Sequence, residues 1–193
     1  MSKRKGLSFY KKKKKLSASV IHEIWSYVFL VFATILIAFV LVYSIGMKTN
    51  VIGVSMEPQL YNGQSILVNR LGYKIFAPKA GDVVVFLPNG NKNSHFYVKR
   101  VIAVPGNKVL IKEGKIYVNS VLYEGVDYDK IADPGIAENE ITLESDEFFV
   151  LGDNVNNSED SRSGNIGAVK RKDIIGKVWF HMAAGDTSVG FMK

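Results

Sequence analysis

Hydrophobic residues are distributed unevenly along this chain, in one long run followed by many short ones. The long run, Trp25 to Ile45, is 21 residues without a charge. A helix of that length measures roughly 31 Å, enough to cross a hydrocarbon core of about 30 Å. Trp25 and Tyr27 at one end and Tyr43 at the other suit the two membrane interfaces. The pattern predicts a membrane anchor over residues 24–46.

Two other interpretations of this run stay open. It could be a secretory signal peptide cleaved after Ser44-Ile45-Gly46, although about 7–15 apolar residues are usual there and this run is longer. It could also be a buried helix of a soluble protein, but a helix that is apolar all round is rarely one. We favour the retained anchor.

After Met47 the pattern changes to short β-like runs between turn-forming residues. Glu113-Gly114, for example, is typical of a tight hairpin turn. No apolar helical period of useful length follows the anchor, so residues 47–193 are predicted to form one mostly β domain. The predicted strands are Val51–Ser55, Ser65–Asn69, Val83–Leu87, Tyr97–Val104, Val109–Lys112, Lys115–Val118, Ile141–Leu143, Phe148–Leu151 and Ile174–Phe180.

Two connecting segments are unusual. The segment Leu71 to Phe76 is apolar for a loop. We expect it to pack on the domain's own core, and the other interpretation is a tip that dips into the membrane. The segment Tyr123 to Glu140 is acidic and weakly periodic, which indicates a surface excursion between strands.

The positive charge is confined to the N-terminal tail. The chain carries +7 overall. Up to Glu23 there are eight basic residues, mainly Lys11 to Lys15, and one acid, whereas 17 basic residues balance 17 acids after Met47. The positive-inside rule therefore places residues 1–23 in the cytoplasm, beside anionic lipid heads, and the domain after Met47 outside. With a neutral domain, nucleic-acid binding is not predicted.

Two absences narrow the chemistry. The chain contains no cysteine, which excludes disulfides, thiolate catalysis and cysteine-based metal sites. It also has no ligand cluster or phosphate-binding loop, so no metal, nucleotide or other cofactor is predicted.

The best candidate for a reactive group is Ser55, which follows Gly53-Val54 and precedes a turn-forming Glu57-Pro58. A bend there would turn its hydroxyl out of the sheet. Nine steps separate it from Gly46, at most about 30 Å of extended chain, so it must lie near the membrane. Tethering favours substrates that are themselves held in the membrane.

A serine nucleophile needs a base, and three residues after the anchor could serve. His95 lies in a turn-like context, and His181 follows the last predicted strand with no acid beside it. Lys99 shares one strand face with Tyr97 and Val101, a setting that would lower its pKa from about 10.4 and leave the amine partly neutral. The common alternative is a lysine whose head reaches water.

Four segments in order resemble the conserved boxes of type I signal peptidases, in their compact Gram-positive form. They are Ser55-Met56-Glu57-Pro58, Gly81 to Phe86, Tyr97 to Gly106, and Gly152 to Arg162. The resemblance implies a serine protease on a mostly β fold that removes signal peptides from secretory preproteins after a small-x-small motif.

The resemblance also implies residue roles. Ser55 matches the nucleophile, Lys99 the general base, and Ser158 the residue whose hydroxyl orients the amine. Asp160 and Arg162 match a supporting pair. Pairing of Arg100 with Asp153 is expected as a second brace, with surface decoration as the alternative for all four charges.

The chain departs from the family pattern at three positions. Gln59 replaces the usual threonine, and Asn107 stands where aspartate commonly follows Pro-Gly. Gly53 has no hydroxyl, whereas some family members supply an oxyanion donor there, and one such donor is worth about 2.7–4 kcal/mol. Gly53 could instead let a substrate strand pair closely beside Gly53-Val54.

Two other functions are compatible with parts of the sequence. A non-catalytic or pilin-dedicated homologue acting as an assembly factor would keep the fold, but here the nucleophile and base positions are both filled. A self-cleaving repressor of the SOS type would carry a DNA-binding domain, and this chain has an apolar anchor in its place. The sequence favours the enzyme.

Overall fold

The computed structural model describes residues 17–125, 128–185 and 188–192. The basic residues of the predicted tail, Lys3 to Lys15, lie outside the described residues. The chain divides into two compact units, one ending at Val40 and the other beginning at Leu41.

The N-terminal helix α1 extends from Ala18 to Ile45, 28 residues. Its segment Ala18–Tyr43 has a mean hydropathy of 2.5, and none of the most apolar window is buried. Within the described ranges it is the one helix whose length and composition would allow it to cross a membrane. Thr34 satisfies its hydroxyl on the carbonyl of Leu30, as polar residues in apolar helices commonly do. The prediction of a single N-terminal apolar helix is confirmed.

The remaining chain is mostly β, as predicted, with one five-residue helix, α2 (Leu71–Ile75). Short 3₁₀ turns occur at Pro88–Gly90, Gly135–Glu138, Val155–Asn157 and Arg171–Asp173. The strands found among the described residues are β1 (Met47–Asn50), β2 (Ser65–Asn69), β3 (Val83–Phe86), β4 (Tyr97–Ala103), β5 (Lys108–Lys112), β6 (Lys115–Val118), β7 (Val121–Leu122), β8 (Ile141–Thr142), β9 (Glu147–Leu151), β10 (Val169–Lys170), β11 (Ile174–His181) and β12 (Gly190–Phe191).

The strands form two antiparallel sheets. The larger has the order β1-β2-β11-β3-β4-β9-β10, with β12 paired to β11. The smaller has the order β7-β6-β5-β8 and is built from the chain between β4 and β9. Strand β4 is central in the large sheet, because β3 pairs along Tyr97–Arg100 and β9 pairs from Arg100 onward.

Both faces of the large sheet are covered by packed side chains. This explains why all four residues of β3 are apolar. Val83 and Val85 enter a cluster with Met56 and Leu60, whereas Val84 and Phe86 enter one on the other face. A third cluster joins the ends of β4 and β9 to the smaller sheet. Burial on both faces fixes the register of β4, since a one-residue slip would exchange every side chain between faces.

The strand predicted at Val51–Ser55 is wrong. The strand there is β1, which ends at Asn50, and the next residues form bends and turns. Val51 donates to the Gln64 carbonyl and accepts from Gly63, which closes a loop. Gly53 has φ +88°, a left-handed conformation outside any strand. Of the segment's three β-branched residues, Val51 is buried in the core, whereas Ile52 and Val54 are exposed.

The apolar segment Leu71 to Phe76 forms α2 and not a loop. Tyr73 packs against the cluster of Val84 and Phe86, as expected for a segment packed on its own core. Leu71, Ile75 and Phe76 are exposed. The segment is therefore anchored through one side chain.

Candidate active site

Ser55 lies in a turn that is held from two sides. The fully buried side chains of Met56 and Leu60 fix the turn in the core. On the opposite side, Asn154 donates its backbone N–H to the Ser55 carbonyl (3.0 Å) and its Nδ2 to the Val54 carbonyl (3.3 Å). The hydroxyl of Ser55 is thus presented from a fixed backbone.

Lys99 reaches this hydroxyl from strand β4. Its Nζ lies 2.6 Å from Ser55 Oγ, and the residue is only 4 % exposed. Within the described part of the chain the amine makes no salt bridge. The Tyr97 ring covers it, with Nζ 5.5 Å from the ring centroid. Residues 44 positions apart in the sequence are thereby brought into hydrogen-bond contact.

The surroundings of Lys99 favour its neutral form. Burial lowers the pKa of Lys99 from 10.5 to about 8, because an ammonium loses its hydration there. Asp160 and Glu159 oppose this shift, and Arg162 adds to it. An amine with a pKa near 8 is neutral in an appreciable fraction of molecules at physiological pH, so it can act as a base.

The loop after β9 carries a buried ion pair. Asp160 is 1 % exposed, and Arg162 binds it through Nε (2.8 Å) and Nη2 (2.9 Å). Asp160 also accepts from the Gly152 N–H, and Arg162 donates to the Val155 carbonyl. This network ties the ends of the loop together beside Lys99.

A second buried pair lies one residue further along β4. Arg100 binds both carboxylate oxygens of Asp153 at 2.8 Å, and the two side chains are about 5 % exposed or less. Arg100 also donates to the Gly81 carbonyl. Because neighbouring strand residues point to opposite faces, Arg100 braces the loop from the face away from Lys99.

Ser158 does not make the contact expected of it. Its Oγ is buried and has no hydrogen-bond partner among the described residues, since the Lys99 amine is directed at Ser55. The Ser158 hydroxyl and the Ser55 carbonyl nevertheless lie close to each other on either side of Gly152, because a side chain added at Gly152 would clash with both. A buried hydroxyl without a partner typically destabilises a fold by about 1–3 kcal/mol.

Neither histidine contacts the serine hydroxyl. His181 Nδ1 lies 3.2 Å from Gln64 Nε2, in a partly buried contact with that side chain. His95 lines an open groove together with Phe96 and Ile52. Among the described residues, the side-chain partner of Ser55 is Lys99.

Three residues with contacts at the site carried no role in the sequence interpretation. Asn154 holds the turn of the serine, Asn62 accepts from the Gly53 N–H (2.9 Å), and Glu159 accepts from the Tyr97 hydroxyl (3.2 Å). Asn154 and Glu159 lie in Gly152 to Arg162, the last of the four segments that resemble the family, and this position could have indicated that they lie near the site. Asn62 forms an Asn-Gly turn with Gly63, a pattern that marks the turn but not the contact with Gly53.

Known proteins resemble this chain over most of its length. The family described as "Signal peptidase, peptidase S26" matches residues 24–183. "Signal peptidase IB" of Staphylococcus aureus is 35 % identical over 167 residues, covering 76 % of this chain and 85 % of that protein. "Probable signal peptidase I-2" of Synechocystis sp. is 35 % identical over 130 residues, covering 65 % of this chain and 57 % of its relative's length.

Among solved structures, a signal peptidase I from Enterococcus faecalis is 26 % identical. It covers 53 % of this chain and 97 % of the other, with a TM-score of 0.39. The family match at residues 24–183 spans most of α1 and both sheets. The chain therefore belongs to the signal peptidases of the peptidase S26 family, which are proteases that cleave signal peptides.

Proposed function

We propose that this protein is a membrane-anchored serine endopeptidase that removes signal peptides from secretory preproteins after a small-x-small motif. Ser55 is the nucleophile and Lys99 the general base. The observation that carries the proposal is the 2.6 Å contact between Ser55 Oγ and a buried amine without a counter-ion among the described residues. A lysine held in this way has little other use than to exchange a proton with its neighbour.

The reaction proceeds in two halves. The neutral Lys99 amine takes the proton of Ser55 Oγ, which attacks the scissile carbonyl, and the ammonium then protonates the departing amine of the mature protein. This leaves an acyl-enzyme and a neutral Lys99. A water molecule loses a proton to Lys99 as it attacks the ester, and the proton returns to Ser55 Oγ when the signal peptide leaves.

The backbone N–H of Ser55 supplies one oxyanion donor. It has no hydrogen-bond partner among the described residues, so it is available to a developing negative charge. Gly53 contributes no hydroxyl, and its own N–H is already bonded to Asn62. Ser158 supports the base by accepting an N–H of the neutral Lys99 amine, which would satisfy its otherwise unpaired hydroxyl.

The substrate binds as an added strand. Strand β9 pairs with β4 only from Arg100 onward, so Tyr97–Lys99 keeps one edge open. Next to Ser55, Gly53 and Val54 are exposed, and the missing side chain at Gly53 would let an extended peptide approach. A peptide paired between these segments would bring its scissile carbonyl to Ser55.

The protein acts on membrane-held preproteins at the outer face of the bilayer. The basic N-terminal tail and neutral domain support a cytoplasmic N-terminus, with α1 as the anchor and residues 47–193 outside. Protease added to sealed, right-side-out vesicles should then degrade the domain and leave the tail intact.

The central test is cleavage of a purified preprotein with an Ala-x-Ala site by the full chain in detergent. Ser55→Ala and Lys99→Ala should each abolish cleavage, and His95→Ala should leave it unchanged. Activity lost in His95→Ala but kept in Lys99→Ala would show that the base is assigned wrongly. A wild-type chain that cuts no preprotein would favour the non-catalytic assembly factor.

A further inference from the structure

A hydrogen bond closes over the Lys99 amine from the solvent side. Tyr97 and Lys99 project from the same face of β4, and Lys99 Nζ lies 5.5 Å from the centre of the Tyr97 ring. The Tyr97 hydroxyl donates to Glu159 Oε2 at 3.2 Å. Glu159 stands between Ser158 and Asp160, so the bond joins the loop after β9 to the ring that covers the amine.

Of the three acidic residues that act on Lys99, Asp153 is paired with Arg100, and the other two are held very differently. Asp160 is buried and bound to Arg162 and to the Gly152 N–H. Glu159 is exposed and makes no salt bridge within the described ranges. Asp160 is therefore a fixed part of the fold, whereas the Glu159 carboxylate is free to serve the Tyr97 hydroxyl.

The Tyr97 ring is placed where it would limit how much water reaches the Lys99 amine. Burial is the largest cause of the lowered pKa of Lys99, and the other contributions come from Asp160, Glu159, Arg162 and Asp153, all in one loop. Across from Lys99 in the ladder, β3 presents only the apolar Val84. Movement of the Tyr97 ring would thus be the direct way to hydrate the amine.

We propose that Glu159 is a positioning residue for the base: through its bond with Tyr97 it holds the aromatic ring over the Lys99 amine and keeps that amine dehydrated. This inference rests on the proposed function, in which Lys99 is the base. Glu159 touches neither the reacting atoms nor the substrate in this role, and it acts through Tyr97.

Two substitutions of Glu159 separate positioning from charge. Both Glu159→Gln and Glu159→Ala remove one negative charge, but only Gln keeps an oxygen that can accept from Tyr97. The measurement is kcat/KM against pH with the full chain in detergent. In Glu159→Gln the acidic limb should move to lower pH, by about half a unit, because a nearby negative charge no longer favours the ammonium.

In Glu159→Ala the Tyr97 ring is released and water reaches the amine. The acidic limb of the kcat/KM profile should then lie at least about half a pH unit above that of Glu159→Gln, which means a roughly threefold lower kcat/KM at a pH where activity is still rising. Tyr97→Phe keeps the ring and the charge but loses the bond, so its limb should lie above that of wild type. Coincident limbs for the two Glu159 variants, or for Tyr97→Phe and wild type, would overturn the proposal.

Glu138→Gln is the matched control, since it removes the same charge from an exposed glutamate that does not act on Lys99. Its limb must coincide with that of wild type. A shift equal to that of Glu159→Gln would make the effect one of net charge and overturn the proposal. If Lys99→Ala keeps activity, the proposed function fails. If Lys99→Ala is inactive but the acidic limbs of the two Glu159 variants coincide, only this inference fails.

Discussion

Replacing Lys99 with methionine should stabilise the protein while abolishing its peptidase activity. A buried ammonium is unfavourable in the folded state. Methionine is also long and unbranched, so it can fill the space of the Lys99 side chain without a charge. Packing alone would not favour a lysine at this buried position, because it weakens the fold. A role in activity would explain its presence there.

The size of the effect follows from the titration of the amine. Its pKa falls from 10.5 in the unfolded chain to about 8 in the fold, a shift that opposes folding by about 3 kcal/mol at neutral pH. Loss of the bond to Ser55 Oγ offsets about 1 kcal/mol of this gain. The net stabilisation is about 2 kcal/mol, which for a chain of this size raises Tm by about 4–8 °C.

The gain has a characteristic pH dependence. Between the folded-state pKa of about 8 and the unfolded-state pKa of 10.5, the unfolded chain binds the proton and the folded chain does not. Wild-type stability therefore rises with pH in this window, which the methionine variant cannot do at this position. The titration contribution to this difference should be full below about pH 8 and absent above about pH 10.5, where loss of the bond to Ser55 Oγ leaves the variant about 1 kcal/mol less stable than wild type.

The assay is thermal unfolding of both full chains in detergent, followed by near-UV circular dichroism at several pH values. Lys112→Met is the control, since Lys112 is exposed at the end of β5 and its replacement should change Tm little at any pH. A Lys99→Met protein that is less stable than wild type at pH 7, or a difference that does not vary with pH, would refute the reasoning.

Three further outcomes are expected. The kcat/KM should rise about tenfold per pH unit up to about pH 8 and then level, because only the neutral amine is a base; a flat profile between pH 6 and 8 would contradict this. Gly152→Ala should lower kcat by about a hundredfold, because the new methyl clashes with Ser158 and the Ser55 carbonyl. Gly164→Ala should remain active, because its methyl would make only an ordinary contact with Ile136. Asp153→Asn should destabilise the fold by about 3–5 kcal/mol in urea unfolding, because the buried Arg100 guanidinium loses the opposite charge of Asp153. A loss below about 1 kcal/mol would count against the brace.

Strand periodicity was sufficient to predict the setting of Lys99. The alternation that puts Tyr97, Lys99 and Val101 on one face of β4 is visible in the sequence, and burial on both sides of the sheet preserves it. The mostly β fold and the apolar helix were predictable for the same reason, since both depend on local hydrophobic patterns. The roles of Ser158, Asp160 and Arg162 came from family resemblance, and they stay predictions.

Contacts that depend on the path of loops were not predictable. Two-residue strands such as β7, β10 and β12 are too short to show a period. The Val51–Ser55 segment has the composition of a strand, but Gly53 and the bonds from Val51 to Gln64 turn it into a loop. The bond between Tyr97 and Glu159 joins residues 62 positions apart and depends on side-chain rotamers that no sequence pattern encodes.

The segment that forms the smaller sheet, between β4 and β9, is a place where the chain could change in length. The chain leaves the large sheet at Ala103 and re-enters it in β9, where Phe149 is the ladder partner of Ala103. The exit and return points of the intervening segment are thus already held side by side. Lengthening a segment with fixed ends costs only about 0.6 kcal/mol per doubling. This insertion is therefore a modular site, where the chain can grow or acquire new binding surfaces without displacing the strand that carries Lys99.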